Sequence, residues 1–200
     1  MKKTILILLL AGLIFVLNQN ISFANVYTFS PNPSDLYDLT HQSYYTWGIN
    51  WTPQPNEIIT RARLVIKDIN NWTPEDDDAL YIHLLRNAPL GVRTYTDNQG
   101  GGDNFEDWSV SNILLDIYSD SDDYPGAAEN YHYRFTRNDL RHLNRWFKNG
   151  RIGFGFDPDC HYWNDGVKFR FETQVIPEPA TMSLLGLGLL GILGLKKKRA

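Results

Sequence analysis

The feature that most constrains the fold is a strict alternation of apolar and polar residues near the C-terminal part of the sequence. Residues 167–173 place Val, Phe, Phe and Thr on one side and Lys, Arg and Glu on the other. Residues 151–156 repeat this pattern, with Gly153 and Gly155 among the alternate positions. Because successive strand side chains point to opposite faces, both segments predict half-buried β-strands. The two glycines indicate that another layer or a ligand comes close to that face.

Further segments with the same period lie between turn residues. They are residues 45–51, 62–66, 80–84, 90–95, 110–117 and 131–135. About eight short strands favour a mainly β chain, an antiparallel jelly-roll-like β-sandwich over residues 25–176. This segment holds 25 of the 27 aromatic residues and is long enough to bury a core.

One short helix is predicted between these strands, from Arg137 to about Lys148. Thr136 is suited to cap it, with Asp139 in the third position as in a capping box. The apolar face contains Leu140, Leu143 and Phe147, and a cover over one end of the sandwich is the expected role. The opposite ridge is basic, and it is either solvated or seats an acidic polysaccharide: Arg137, Arg141 and Arg145.

Residues 1–24 have the layout of a secretory signal peptide. A basic start precedes an apolar run over residues 5–17, and small residues stand before the expected cleavage site between Ala24 and Asn25. The alternative is an uncleaved membrane anchor. That alternative is disfavoured because the run is shorter than the ~20 residues that a spanning helix needs.

Residues 177–200 form a second unusual end. Pro177-Glu178-Pro179 holds the chain extended, because proline fixes its own backbone and restricts the residue before it. Residues 180–195 carry no charge and predict a transmembrane helix of marginal length. A basic cluster follows, which should stay cytoplasmic and place the preceding domain outside: Lys196, Lys197, Lys198 and Arg199.

The Pro-Glu-Pro tripeptide, the short Gly/Leu helix and the basic end resemble the PEP-CTERM sorting signal of Gram-negative bacteria. The resemblance covers about the last 24 residues and implies that exosortase, a membrane cysteine protease, cuts near the tripeptide. It further implies an inner-membrane-tethered precursor that passes to the outer envelope, cell surface or extracellular matrix. The family is associated with exopolysaccharide and biofilm. The resemblance implies nothing about residues 25–176.

The charge of the central segment excludes one class of partner. Residues 25–176 contain 13 basic and 22 acidic residues, whereas the two ends carry most of their charge as Lys and Arg. Nucleic acid binding relies on many Lys and Arg contacts to phosphate. We therefore expect no nucleic acid partner.

The densest polar cluster is the loop between the two clearest strands, residues 157–166. Its carboxylate and amide oxygens are of the kind that calcium prefers, and an exported protein meets calcium readily. The sequence predicts a calcium site made by Asp157, Asp159, Asn164 and Asp165. The spacing matches no EF-hand loop. Asp-rich segments at residues 75–78 and 120–123 are expected to be solvated loops, and the glycines of residues 100–102 a flexible loop.

Cys160 next to His161 raises four possibilities, of which one is an intermolecular disulfide in an oxidising envelope. A zinc site needs more nitrogen and sulfur ligands than this loop holds, and a nucleophile needs its histidine brought in by the fold. A packed or partly buried thiol is the expected role of the cysteine.

Six tryptophans are many for this length. Most tryptophans of a small sandwich lie in the core, so we expect one or two to be exposed. Trp72 and Trp163 stand in polar loops beside acidic residues and are the predicted glycan-binding residues.

Three functions remain open from the sequence. The first is a non-catalytic structural or glycan-binding component of the extracellular polysaccharide matrix, without catalytic residues. The second is a secreted polysaccharide hydrolase that uses a carboxylate pair. The third is a self-assembling adhesin.

Overall fold

Strands dominate the computed structural model, which describes residues 24–73, 78–98, 101–105, 111–120 and 127–176. Within these residues, ten strands and one helix follow one another along the chain: β1 Ala24–Phe29, β2 Ser43–Asn50, β3 Glu57–Asn71, β4 Leu80–Leu85, β5 Gly91–Thr96, β6 Asn112–Tyr118, β7 Glu129–Arg134, α1 Arg137–Phe147, β8 Arg151–Pro158, β9 Tyr162–Trp163 and β10 Val167–Val175.

The strands form two five-stranded sheets. The first has the order β1-β10-β3-β7, with β9 paired to one end of β3, and the second has the order β5-β2-β8-β4-β6. Every pair is antiparallel. The prediction of a mainly β chain with antiparallel strands and one short helix is confirmed.

The alternating side chains of both sheets meet in one core. The rings of Phe154 in β8 and Phe169 in β10 lie 4.9 Å apart in an edge-to-face arrangement, and both side chains are fully buried. Burial of one such side chain stabilises the fold by about 1.5–3 kcal/mol. The two sheets therefore pack face to face, as the period of two in their sequences requires.

A second, smaller apolar cluster covers the outer face of β8. A Cβ atom at Gly155 would lie 2.5 Å from Cζ of Phe105, and one at Gly153 would lie 2.3 Å from Cβ of Ala88. Phe105 and Ala88 are both fully buried there. The expectation that another layer approaches these glycines is confirmed.

The helix closes one end of the molecule. Thr136 and Asp139 form the predicted capping box, and α1 ends one residue before the expected Lys148. Its buried face contains Leu143 and Phe147 as predicted, together with Trp146. The side chain of Asn144 bridges the backbone of Ile59 in β3, with distances of 2.7 Å from Ile59 N and 2.9 Å to its carbonyl oxygen.

The strand count differs from the expected eight. The additional strands are β1 and the two-residue β9. Trp51, expected in a strand, follows the end of β2 and packs against the core from the loop. The predicted signal and C-terminal membrane helices lie outside the described residues, apart from Ala24, which begins β1. In the part of the chain that the structure describes, no helix has the length and apolar character to cross a membrane.

Candidate functional site

Asp157, the first predicted calcium ligand, lies in β8 and is fully buried. Its carboxylate accepts hydrogen bonds from the backbone N–H of Asn104 at 2.6 Å and from the side-chain amide of Asn104 at 3.3 Å. Burial raises the pKa of Asp157 to about 6, although these two hydrogen bonds act in the opposite direction. The carboxylate therefore serves first to hold the segment that contains Asn104.

Asp159 acts on the same segment. Both of its carboxylate oxygens accept from the backbone N–H of Gly102, at 2.9 and 3.0 Å. Asp103 in turn lies 2.9 Å from Nε2 of the buried His83. The described part of the glycine-rich segment, residues 101–105, thus contacts the side chains of Asp157, Asp159 and His83, and the flexibility expected for this loop stays a prediction.

Asn164 and Asp165 belong to a different neighbourhood. Asn164 is 6% exposed, donates to the carbonyl oxygen of Asp35 at 2.9 Å and accepts from the N–H of Gly166 at 3.0 Å. In the described ranges, no three His, Cys, Asp or Glu side chains are grouped so that they could hold a metal ion. The structure divides the four predicted ligands between two networks, and calcium binding stays a prediction.

Cys160 is fully buried, with Sγ 3.8 Å from the carbonyl oxygen of Thr73. The neighbouring His161 ring turns the other way and lies 4.2 Å from the ring of His41. The interpretation of Cys160 as a packed thiol is confirmed.

The two predicted glycan-binding tryptophans lie together. The rings of Trp72 and Trp163 stack at 5.6 Å with an interplanar angle of 19°. His161 supports the edge of Trp72 at 4.7 Å. Trp163 is 53% exposed, while Trp72 lies half-buried beneath it. We call this pair the tryptophan platform.

A polar pocket of about 490 Å³ opens beside the platform. Trp163 and Ala128 line it together with carboxylates and amides from three segments of the chain, and we call it the aspartate pocket: Asp35, Asp38, Asp68, Asn70, Asn164 and Asp165. Sequence analysis identified Asn164, Asp165 and Trp163 but missed Asp35, Asp38 and Asp68. No spacing in the sequence connects these three residues to the loop at 157–166.

Irregular backbone brings these aspartates to the pocket. Leu36, Tyr37 and Asp38 have consecutive positive φ values of 57°, 70° and 51°, and Asp68 has a φ of 45°. The left-handed region costs roughly 1–2 kcal/mol for a residue with a Cβ, and Asp tolerates it better than most. Asp68 adjoins the irregularity in the pairing of β3 with β7. Such strain concentrates at functional sites in proteins.

Two further hydrogen bonds hold the turn around Asp38. The side chain of Asp35 accepts the N–H of Tyr37 at 3.0 Å, and Val167 N–H donates to the carbonyl oxygen of Ser34 at 2.7 Å. Burial, followed by the charges of Asp35 and Asp165, raises the pKa of Asp38 despite a hydrogen bond from Asn164. The pocket therefore concentrates negative charge that is partly withdrawn from water.

Comparison with known proteins finds one family match. Residues 175–199 match the model of the PEP-CTERM protein-sorting motif. Val175 and Ile176 are the described part of this match, and the predicted Pro177, Glu178, Pro179 and basic cluster lie outside the described residues. No curated protein matches the chain.

Two solved structures show a weak likeness. One is the crystal structure of the infectious bursal disease virus VP2 subviral particle, at 11% identity and a TM-score of 0.14, with 83% of this chain and 48% of that chain covered. The other is the 2.6 Å structure of T=1 particles derived from the same virus, at 10% identity and 0.14, with 78% and 41% covered. The chain thus spans less than half the length of either structure. Neither likeness carries an argument about fold or function.

Proposed function

The chain carries a PEP-CTERM motif, which supports an exported protein that exosortase sorts; from this premise we propose a non-catalytic glycan-binding component of the extracellular polysaccharide matrix. In this proposal, exosortase and the extracellular polysaccharide are the partners. The mature domain resides in the outer envelope, at the cell surface or in the biofilm matrix after a transient stay at the inner membrane.

The single observation that carries the proposal is the tryptophan platform. A half-exposed indole face next to polar groups is costly to leave in water unless a partner covers it, since a large ring buries much apolar area on binding. Stacking on Trp72 fixes the orientation of Trp163, so little side-chain entropy is lost when a sugar ring packs on its exposed face.

The aspartate pocket supplies the complementary polar contacts. Sugar hydroxyls donate hydrogen bonds, and carboxylates accept them more strongly than neutral oxygens do. Asn164 and Asp165 line the pocket together with Trp163, one and two residues further along the chain. A neutral polysaccharide, stacked on the ring with its hydroxyls directed to the carboxylates, fits this combination.

Strand connectivity gives weaker support. Without the two-residue β9 and the added edge strand β5, the sheet orders β1-β10-β3-β7 and β2-β8-β4-β6 follow the two Greek keys of a jelly roll. Jelly rolls include lectin domains. This is an analogy at the level of the fold, and the function depends on the site itself.

A second candidate function is hydrolysis of the bound polysaccharide. The raised pKa of Asp38, with Asp35 and Asp165 as charged neighbours, is the pattern of a general acid beside a second carboxylate. Release of reducing ends from a polysaccharide, lost in Asp38→Asn with binding retained, would establish this candidate in place of the non-catalytic one.

The decisive experiment measures binding of the full chain, in non-ionic detergent, to a panel of neutral polysaccharides. Trp163→Ala should weaken binding by at least about tenfold, which is roughly 1.4 kcal/mol, while Trp163→Phe retains most of it. Ile117→Ala, which removes an exposed apolar side chain from β6, is the matched control and should bind normally. Absence of binding to every neutral polymer by a folded chain would refute the glycan proposal.

A further inference from the structure

Three arginines stand side by side on the outer face of the first sheet. Arg170 in β10 is paired with Arg63 in β3, and Arg63 is paired with Arg134 in β7. Directly paired residues point to the same face, with neighbouring strands about 4.8 Å apart. The three guanidinium groups therefore form a row across three strands, which we call the arginine row.

The arginine row is electrostatically unfavourable within the sheet. Like charges directly opposite each other on neighbouring strands destabilise a sheet. Arg61, two residues from Arg63, forms an ion pair with Glu172 at 3.5 Å. Among the described residues, the three members of the row form no ion pair of their own. An anion bound along the row would relieve their mutual repulsion.

The row lies in an open groove of about 480 Å³. The other lining residues include Ala62, Phe135 and Phe171, whose side chains are buried in the core, and Leu140, which brings α1 to the groove. Arg61 and Glu172 stand further along β3 and β10.

We propose that this groove is a second binding site, which takes an acidic polysaccharide through its carboxylate groups. Guanidinium forks match carboxylates in a bidentate geometry, and three of them in a line suit a polymer that presents carboxylates repeatedly. This site uses none of the residues of the tryptophan platform, and it stands or falls separately from it.

The rest of the domain selects among polyanions. The 22 acidic residues in residues 25–176 outnumber the 13 basic ones. A polyanion that is wider than the groove is therefore repelled by the acidic residues around it. Screening confines each charge to about 10 Å at 0.1 M salt. A narrow single polysaccharide chain lies within that distance of the arginine row alone, whereas duplex DNA covers the surrounding acidic surface as well.

The test measures binding of the full chain in non-ionic detergent to polygalacturonate, with dextran and duplex DNA as comparison polymers. The triple variant Arg63→Gln, Arg134→Gln, Arg170→Gln removes the row. Arg86→Gln, Arg93→Gln, Arg151→Gln removes the same charge from exposed positions outside the first sheet and is the matched control. A third variant with lysine at positions 63, 134 and 170 retains the charge but not the fork.

We expect polygalacturonate binding to fall at least tenfold in the triple glutamine variant and to remain within twofold in the control. The lysine variant should bind at an intermediate level, and the melting temperature of the glutamine variant should equal or exceed that of the original chain. Equal losses in both glutamine variants would show unspecific charge attraction and overturn the proposal. DNA binding as tight as polygalacturonate binding, or no binding to polygalacturonate, would also overturn it. Dextran binding that survives in the triple variant separates this site from the tryptophan platform.

Discussion

The aspartate pocket and the groove that contains the arginine row, called the arginine groove below, have nearly the same volume, about 490 and 480 Å³. They differ in the sign of their charge and in the way the chain forms them. Residues from three distant segments, two of them with positive φ values, form the acidic lining of the pocket, whereas paired positions of three strands form the arginine row of the groove. The comparison shows that the net charge of this domain is an average over two surfaces of opposite sign. We expect the surface made by strand register to tolerate side-chain changes that the surface made by turns does not.

The largest effect should follow from removing the side chain that holds the pocket together. Asn164→Ala leaves the carbonyl oxygen of Asp35 and the N–H of Gly166 without their partner, at a cost of about 2 kcal/mol in unfolding free energy. The Asn164→Ala variant should also lose binding of neutral polysaccharide. Urea denaturation measures the stability change.

Two controls sharpen that result. Asp165→Ala alters an exposed neighbour and should change stability by less than about 0.5 kcal/mol. Arg63→Gln in the arginine groove should likewise change stability by less than about 0.5 kcal/mol. Equal destabilisation by all three variants would contradict the contrast between the two surfaces.

The next effect concerns pH. The pKa of Asp157 is raised to about 6 in the folded state from 3.8, so the folded chain binds this proton more tightly than the unfolded chain. The resulting stabilisation is present below about pH 4 and is lost as the pH rises through about 6. Urea denaturation between pH 4 and pH 7 should therefore show the stability of the original chain falling relative to Asp157→Asn. If the stability of the two proteins depended on pH in the same way, the prediction for Asp157 would be wrong.

A smaller change in stability should appear in the arginine groove, where a substitution is expected to stabilise the fold rather than destabilise it. Arg63→Glu converts two like-charge pairs, with Arg170 and Arg134, into opposite-charge pairs, and we expect a gain of about 1 kcal/mol in unfolding free energy. Polygalacturonate binding should disappear in the same variant. Loss of stability in Arg63→Glu, measured by urea denaturation, would show that the three arginines do not repel one another.

The last expected effect, of about the same size, tests calcium. Chelation should lower the melting temperature by about 3 °C, which corresponds to roughly 1 kcal/mol for a domain of this size. Asp159→Ala should abolish the difference between chelated and calcium-loaded protein. An identical melting curve with and without chelator would show that calcium does not stabilise the domain.

The regular parts of this fold could be predicted from the sequence because their signal is local. Alternation in residues 167–173 and the capping box at Thr136 each specify a structure within a few residues. β1 carries no such signal, since its first three residues are exposed and the other three at most half-buried. Trp163 could be selected because its polar neighbours in the sequence are also its neighbours in space.

The remainder depends on contacts between distant segments. Asp38 reaches the pocket through a left-handed turn, and periodicity does not encode positive φ in residues other than glycine. Alternation in β10 assigns Arg170 to the outer face, but only the strand order places Arg63 and Arg134 beside it. Binding sites that combine strands far apart in sequence therefore need the topology before their residues can be named.

The pairing of β1 with β10 fixes how the domain is presented to its surroundings. Ala24 lies opposite Gln174, so the chain enters and leaves the domain at one pole, next to α1. The aspartate pocket adjoins the other end of β10, whose nine residues span about 30 Å. A membrane tether attached beyond residue 176 would therefore hold the domain at the end away from the aspartate pocket. Proteolytic release there would free the domain without altering the pocket.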